Sequence, residues 1–384
     1  MTIDTLASMP EPDDFNDGTF VFKPTFDSSD SVKLDKVHYL VVIRGNEVGK
    51  RIEVGDSPIT FGRTNQATHV LDDQRISKLH CKINLLGGEL IITDMGSTNG
   101  TYLDGERVQG SRVFPPESVV QLGQHKLKHE FRRREDAESS DHLNAELQKA
   151  RDYVFSLLPK PLENQHLLVD WTFAPSDMLG GDAFGYHLID PDHYAFYLLD
   201  VCGHGVGAAM HSSSALNVVR SMSLPNVDFH SPAQVLTELN KIFQMEDHGN
   251  MYFTMWYGVF CLSKKTLKYA SAGHPPSLLF KATGGNIALL KTKGLAIGAI
   301  PKLTYPEVET TIQSGDQLFI FSDGAYEIRT PDGGEWGLPD FQEVLRNSAS
   351  EPKEKSSRVK AAVEHIAGTS RFEDDFSLIC VQFL

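Results

Sequence analysis

Between residues 37 and 131 the apolar residues come in short runs: HYLVVI, KRIEV, ITFGR, CKINLL, ELIITDM, SVVQL and KLKHEF. Gly, Asn and Asp separate them. Runs this short, closed by turn formers, predict an all-β sandwich. Residues 1–36 are rich in Asp, Ser, Pro and Thr with little apolar periodicity, the composition of a disordered tail. From 132 to 162 the period changes. Leu143, Leu147, Ala150, Val154 and Leu157 recur every three or four residues, which predicts a helix, and Pro159 and Pro161 end it. Two readings stay open for this stripe: one amphipathic helix packed on its own domain, or a short coiled coil that makes a homodimer and couples the flanking domains. Residues 163–384 carry strand-like runs such as HLLVDWTFA, HYAFYLLDV, MYFTMWYGVFCL, QLFIFSDG and FSLICVQFL. Between them lie helical stretches at Gly205–Ser223, Ser231–Met245, Leu338–Asn347 and Ser356–Ile366, so this part predicts a layered α/β or α+β domain.

Composition changes the picture in two ways. A chain of 384 residues that is 40% hydrophobic and 23% charged is large enough for two or three domains with real cores. Its formal charge of -15 speaks against a general nucleic-acid binder and suits a site that collects cations. Cys81, Cys202, Cys261 and Cys380 are far apart and form no CxxC pair. That spacing argues against a zinc site or a disulfide framework and for a reducing, cytoplasmic setting. The first residues lack the basic and apolar regions of a signal peptide, and no apolar run reaches bilayer length, so a soluble protein without membrane partners is expected.

Three clusters stand out in the β-rich segment: Phe61-Gly62-Arg63, Arg75 to His80, and Gly96-Ser97-Thr98-Asn99-Gly100-Thr101. Each alone reads as a turn. In this order and spacing they resemble the forkhead-associated (FHA) domain. The resemblance covers nearly all of 37–131 and implies a β-sandwich whose loops bind phosphothreonine. It assigns Arg63, Ser77, Lys78 and Thr98 to the phosphate, Asn99 to the peptide backbone and His80 to bracing the loops. The chemistry agrees, since a dianionic phosphate favours a guanidinium and neutral donors on rigid turns.

In the C-terminal segment, acidic residues sit beside glycines or at strand ends four times: Gly180-Gly181-Asp182, Asp200-Val201-Cys202-Gly203-His204-Gly205, Ser322-Asp323-Gly324 and Glu373-Asp374-Asp375. A carboxylate at the end of a buried strand is costly unless paired or metal-bound. An all-oxygen donor set suits Mg²⁺ or Mn²⁺, and the histidine- or cysteine-rich clusters that zinc prefers are absent from the sequence. With the segment Ser271–Pro276 (SAGHPP), these motifs resemble the PPM-type metal-dependent protein phosphatases, in particular the bacterial SpoIIE-type branch. The resemblance runs from about residue 150 to the end. It implies an α-β-β-α sandwich binding two divalent metal ions, Mn²⁺ or Mg²⁺. Asp200 would bridge both, with the Val201 carbonyl, Asp323, Asp374 and Asp182 as further ligands and Asp375 in support. Asp200 and Asp182 would thus serve catalysis by holding the metals that activate water for attack on phosphorus, with no Cys or Ser nucleophile.

Cys202 reads as a small packed side chain and His204 as a brace of its turn. There are two departures from the family pattern. Gly185 stands where many relatives carry a further acidic residue, which bears on metal affinity, and the basic phosphate-binding residue of the type 2C enzymes has no counterpart. The whole chain then reads as multidomain. It is expected to dephosphorylate phosphoserine or phosphothreonine on a partner-switching protein such as an anti-sigma-factor antagonist. Its FHA domain would bind a phosphothreonine partner or the chain's own tail, through Thr5, Thr19 or Thr25. The rival reading is a phosphopeptide-binding adaptor with an inactive phosphatase fold. A two-metal nuclease is disfavoured by the acidity.

Overall fold

The computed structural model describes residues 35–348 and 354–384. Thr5, Thr19 and Thr25 lie outside the described residues. The chain divides into two compact units between Ser140 and Asp141.

The first unit is a sandwich of two sheets. One contains Arg51–Val54, Lys36–Arg44, His125–Arg133, Val119–Leu122, Thr101–Leu103 and Glu106–Arg107, in that spatial order. The other contains His69–Val70, Ile59–Gly62, Cys81–Leu86, Glu89–Asp94 and Ser111–Phe114. Alternate residues point inward, so Leu40, Phe61, Ile83, Ile92, Phe114 and Leu127 from both sheets meet in one core. The expected tail is shortened by the pairing of Lys36 with Arg133, which opens the first strand inside the 1–36 segment.

The helix expected over 132–162 runs from Arg134 to Leu157. It starts later because the last strand of the sandwich continues to Arg133. It ends at Leu157, just before Pro159 as expected, and Leu162–Glu163 then pairs as a strand with Leu167–Ala174. Arg134 holds Glu53 through two bonds of 2.7 and 2.8 Å, and Ala137 packs on Val37 and Tyr39. Within the predicted stripe, Leu143 is exposed and Leu157 is buried, with Leu147, Ala150 and Val154 between these extremes.

The second unit has four layers. A six-stranded antiparallel sheet runs Leu162–Glu163, Leu167–Ala174, Phe376–Phe383, Gln317–Phe321, Ser277–Phe280, Ile287–Leu290. A five-stranded one runs Asp182–Asp190, His193–Val201, Phe253–Cys261, Thr266–Ala272, Val308–Thr311. Their facing sides bury Phe184, Phe196, Trp256, Phe260, Ile320 and Ile379. The outer side of the five-stranded sheet carries the helices Val206–Arg220 and Pro232–Ile242 through Leu199, Leu216 and Leu239. The outer side of the other sheet carries Leu338–Asn347 and Lys355–Ala367 through Phe319, Phe341 and Val359. The result is an α-β-β-α sandwich.

This layering explains Gly185. Alternation along the strand puts Asp182 on the inner face with Phe184, and Gly185 on the outer face with Ala183. Gly185 lies opposite Tyr197 in the neighbouring strand, and a Cβ there would come within 2.5 Å of the Tyr197 hydroxyl. An acidic residue at this position would therefore face the helix layer, away from Asp182. Gly185→Asp should overpack Tyr197 and bury an unpaired charge, lowering stability by about 3 kcal/mol or more. A urea midpoint equal to that of the unsubstituted chain would refute this account of the glycine.

Candidate functional site

The carboxylates gather where the two sheets of the second unit end together. Asp182 begins one strand and Asp200 nearly ends the next, and the antiparallel register sets them directly opposite each other. Like charges in such a pair repel. Asp323 follows the strand Gln317–Phe321, and Asp374 and Asp375 precede Phe376–Phe383. Those two strands are hydrogen-bonded neighbours, so their ends arrive side by side.

The electrostatics show the convergence. Burial, then Asp323, Asp374 and Asp375, push the Asp200 carboxyl up to about 8. Burial, then Asp200 and Asp375, push Asp182 well above the usual carboxylate range. Burial and Asp374 raise Asp323, and burial raises Asp374. Four of the sequence-predicted acids thus share one strongly negative space that runs from the buried Asp182 through the half-buried Asp200 and Asp323 to the exposed Asp374. Asp182 accepts a 2.6 Å hydrogen bond from the Ser377 hydroxyl on one oxygen, while its Oδ1 is buried with no partner.

Asp375 behaves differently. Its Oδ1 accepts from the Ser176 amide at 2.7 Å and the Ser176 hydroxyl at 3.0 Å. Its Oδ2 accepts from the Asp182 amide at 3.2 Å. The carboxylate therefore ties down the loop that delivers Asp182. Glycine is required in that loop, because a Cβ on Gly180 would lie 2.4 Å from Asp375 Oδ2. Ser322 adds a second tie, donating its hydroxyl to the Asp375 carbonyl at 2.9 Å and accepting from the Ser377 amide at 3.1 Å. Ser322 stands inside one of the acidic motifs and Ser377 near the start of the run FSLICVQFL, yet neither is assigned a role from the sequence. Nothing in a lone sequence marks a serine as the donor to a particular carboxylate.

Val201 is buried beside Asp200, with its carbonyl close to Gly181. Cys202 packs as expected, accepting from the Tyr252 amide at 3.3 Å. His204 does not brace its turn. It is largely exposed, 3.9 Å from Asp177, and lines an open depression with Ser176, Arg371 and Glu373. Arg371, which the sequence did not single out, adds a cation to that depression.

In the first unit, three loops converge. The Arg63 amide donates to the Ser77 carbonyl at 3.0 Å. The Ser77 hydroxyl accepts from the Thr98 amide at 3.1 Å and lies 3.4 Å from the Thr98 hydroxyl. Arg63, Lys78, Thr98 and Asn99 are exposed and Ser77 is half-buried. His80 is fully buried beneath them. Its Nδ1 accepts from the Ser77 amide at 3.1 Å and its Nε2 faces the Gly100 carbonyl at 3.2 Å. A neutral ring protonated on Nε2 satisfies both contacts, and burial lowers the His80 pKa in keeping with that form. Asn99 donates to the Arg75 carbonyl at 2.7 Å, so its amide also holds the neighbouring loop. Asp94 was missed. It accepts from the Gly96 and Ser97 amides and from the Ser97 and Thr101 hydroxyls, which shapes the whole turn.

Comparison with known proteins agrees with both units. Residues 190–384 match the family model "Stage II sporulation protein E (SpoIIE)", and residues 59–123 match the FHA domain model. Phosphoserine phosphatase RsbU of Bacillus subtilis is 29% identical over 212 residues, 54% of this chain and 61% of that protein. The FHA domain-containing protein FhaB of Mycobacterium tuberculosis is 39% identical over 85 residues, 22% of this chain and 55% of that protein. The chain spans less than two thirds of the length of these curated relatives. Among solved structures, the SiaA-PP2C domain of Pseudomonas aeruginosa shares the fold, with a TM-score of 0.56 and 21% identity, covering 65% of this chain and 100% of that one. No helix among the described residues is long and apolar enough to cross a membrane. The chain belongs to the SpoIIE family and carries an FHA domain ahead of the segment that defines it.

Proposed function

We propose that the chain is a metal-dependent protein phosphatase that removes phosphate from serine or threonine of a partner-switching protein. In this reading Asp182, Asp200, Asp323, Asp374 and the Val201 carbonyl hold two divalent ions, Mg²⁺ or Mn²⁺. The observation that carries it is the buried, unpartnered Oδ1 of Asp182 within a cluster of acids that raise one another's pKa. Such a cluster requires cations, and its all-oxygen donor set suits hard ones. Bound there, the ions supply Lewis acidity that activates water and neutralises phosphoryl oxygens.

The chain's own residues give the site its shape. Ser377 fixes the rotamer of Asp182, and Asp375 and Ser322 fix the loops on either side. His204 is close enough to Asp374 to be felt electrostatically, and in this reading it would give a proton to the departing alkoxide. Arg371 beside it offers a charge for the substrate phosphate, in place of the family's missing basic residue.

The FHA domain, in the same reading, binds phosphothreonine through Arg63, Ser77, Lys78, Thr98 and Asn99. Bound to a phosphorylated partner it would raise the local concentration of substrate. Bound to phosphorylated Thr5, Thr19 or Thr25 it would regulate the enzyme instead.

Three outcomes are expected. Hydrolysis of a phosphoserine peptide should need Mn²⁺ or Mg²⁺, stop with chelator, and fall by more than about a hundredfold in Asp200→Ala, since even outer contacts to a metal site are worth 10- to 100-fold. Absence of activity with every metal, while phosphothreonine peptide still binds, would favour the adaptor. Asp200→Asn should melt no lower than the unsubstituted chain without metal, because it removes repulsion, yet lose most of the rise in melting temperature that Mn²⁺ gives. A clear drop in its metal-free melting temperature would count against a repulsive cluster. Arg63→Ala should weaken phosphothreonine-peptide binding about 10- to 100-fold while leaving hydrolysis of a free phosphoserine peptide intact; calorimetry showing unchanged affinity would remove Arg63 from the site.

A further inference from the structure

The strand Asp182–Asp190 carries the acidic site at one end, and at its other end, roughly 25 Å away along the strand, a separate group of ligating side chains gathers. Asp190 and His193 flank the hairpin turn, and His230 comes from the segment before the helix Pro232–Ile242. One ligating atom from each lies within 4.8 Å of the others. The His193 Nδ1 is 2.9 and 3.0 Å from the two oxygens of Asp190. The His230 Nε2 is 2.7 Å from Asp190 Oδ2.

The decisive feature is the other nitrogen of His230. Its Nδ1 lies 2.7 Å from Asp228 Oδ1. A neutral imidazole carries one N–H, so it can satisfy only one of two facing carboxylates. The second nitrogen must share either an additional proton or a metal ion with Asp190. Asp228 is held in place by the His230 amide at 2.9 Å, and Asp190 by the Asp192 amide at 2.7 Å. A carboxylate on the far nitrogen of a ligating histidine is the usual outer support of a metal site, fixing the tautomer so that the lone pair faces the ion. The two imidazole rings stand 4.5 Å apart at 80°, and all three side chains are partly open to solvent. Beside them is a small depression lined also by Lys264, Lys268 and Glu309, which leaves room for a fourth ligand. Cys261 is near but turned to Asp192 and Ser263, so it is not counted among the ligands.

We propose that Asp190 Oδ2, His193 Nδ1 and His230 Nε2 form a second metal site, selective for Zn²⁺ or a similar borderline ion, with Asp228 supporting His230. Two imidazoles and one carboxylate suit such an ion and are poor ligands for Mg²⁺. The site fastens the hairpin of the five-stranded sheet to the start of the helix Pro232–Ile242. The sequence hides it, because its ligands come from two separate segments and form no histidine-rich run.

The test uses the full chain, stripped with chelator, loaded with one equivalent of Zn²⁺ and desalted. One zinc per chain is expected, with the outer-shell imidazole scattering of two histidines in its X-ray absorption spectrum. Excess zinc at a hundredfold over Kd should raise the melting temperature by about 5 °C. His193→Ala and His230→Ala should each lose the zinc, and Asp228→Asn should weaken it about tenfold or more. Spectra showing oxygen ligands only, with zinc kept by the histidine variants, would place the ion on the aspartate cluster and overturn the proposal. No retained zinc would overturn it as well, leaving a proton between His230 and Asp190. If the histidine variants fail to fold, the spectrum of the unsubstituted chain and Asp228→Asn still decide.

Discussion

Repulsion among buried carboxylates is the constraint around which the second unit is built. The pairing of Asp182 with Asp200 is forced by strand register, and the register is forced by the faces those strands bury. Slipping the first strand by one residue would turn Phe184, and slipping the second Phe196 and Leu198, from the layer between the sheets into the helix layer. The aromatic layer between the sheets therefore keeps two acids opposed that would otherwise separate. The loops do the rest. Asp375 is spent on amides and a hydroxyl, so it adds negative charge to the site while holding the chain that carries Asp182. A site of this kind is rigid before any ion arrives, which spares the reorganisation that a flexible set of ligands would need.

The first unit solves the opposite problem. A phosphate-reading surface needs exposed donors that do not wander, and loops give exposure without rigidity. Here the rigidity comes from below. A neutral His80 links the Ser77 amide to the Gly100 carbonyl, and Asp94 collects four donors of the Gly96–Thr101 turn. Both are largely removed from the surface they shape. In both units, then, a polar side chain with its hydrogen bonds filled holds a loop whose neighbours stay unfilled and available.

That division also explains what the sequence made legible. The β-sandwich and a layered second domain follow from run length and period, the α-β-β-α order follows only from the family resemblance, and the helices Leu338–Asn347 and Val206–Arg220 fall within a few residues of expectation. Aspartates beside glycines or at strand ends were visible because the chemistry that needs them is local in the chain. The residues that organise them were not. Ser377 and Asp94 gain their roles from partners chosen by tertiary packing, and an isolated serine or aspartate carries no mark of that choice. His204 was misread because a histidine between two glycines suggests a turn brace, whereas the fold leaves its ring in solvent. The facing of Gly185 was also hidden: three residues along a strand is an odd step, so it faces away from Asp182, and only the pleat reveals it.

The same strand carries the argument one step further. Its alternation brings Asp182 to the inner face at one end, and its closing turn brings Asp190 beside His193 and within reach of His230 at the other. The two clusters differ in kind. One is all carboxylate, with the buried Asp182 Oδ1 left without a partner, a match for hard ions. The other pairs two imidazoles with partly exposed acids; hydrogen bonds from His193 first and then His230 hold Asp190 well below the usual carboxylate range, and burial opposes them only weakly. Donor chemistry alone would thus sort different ions to the two ends of one strand, without either site needing to exclude the other's metal by size.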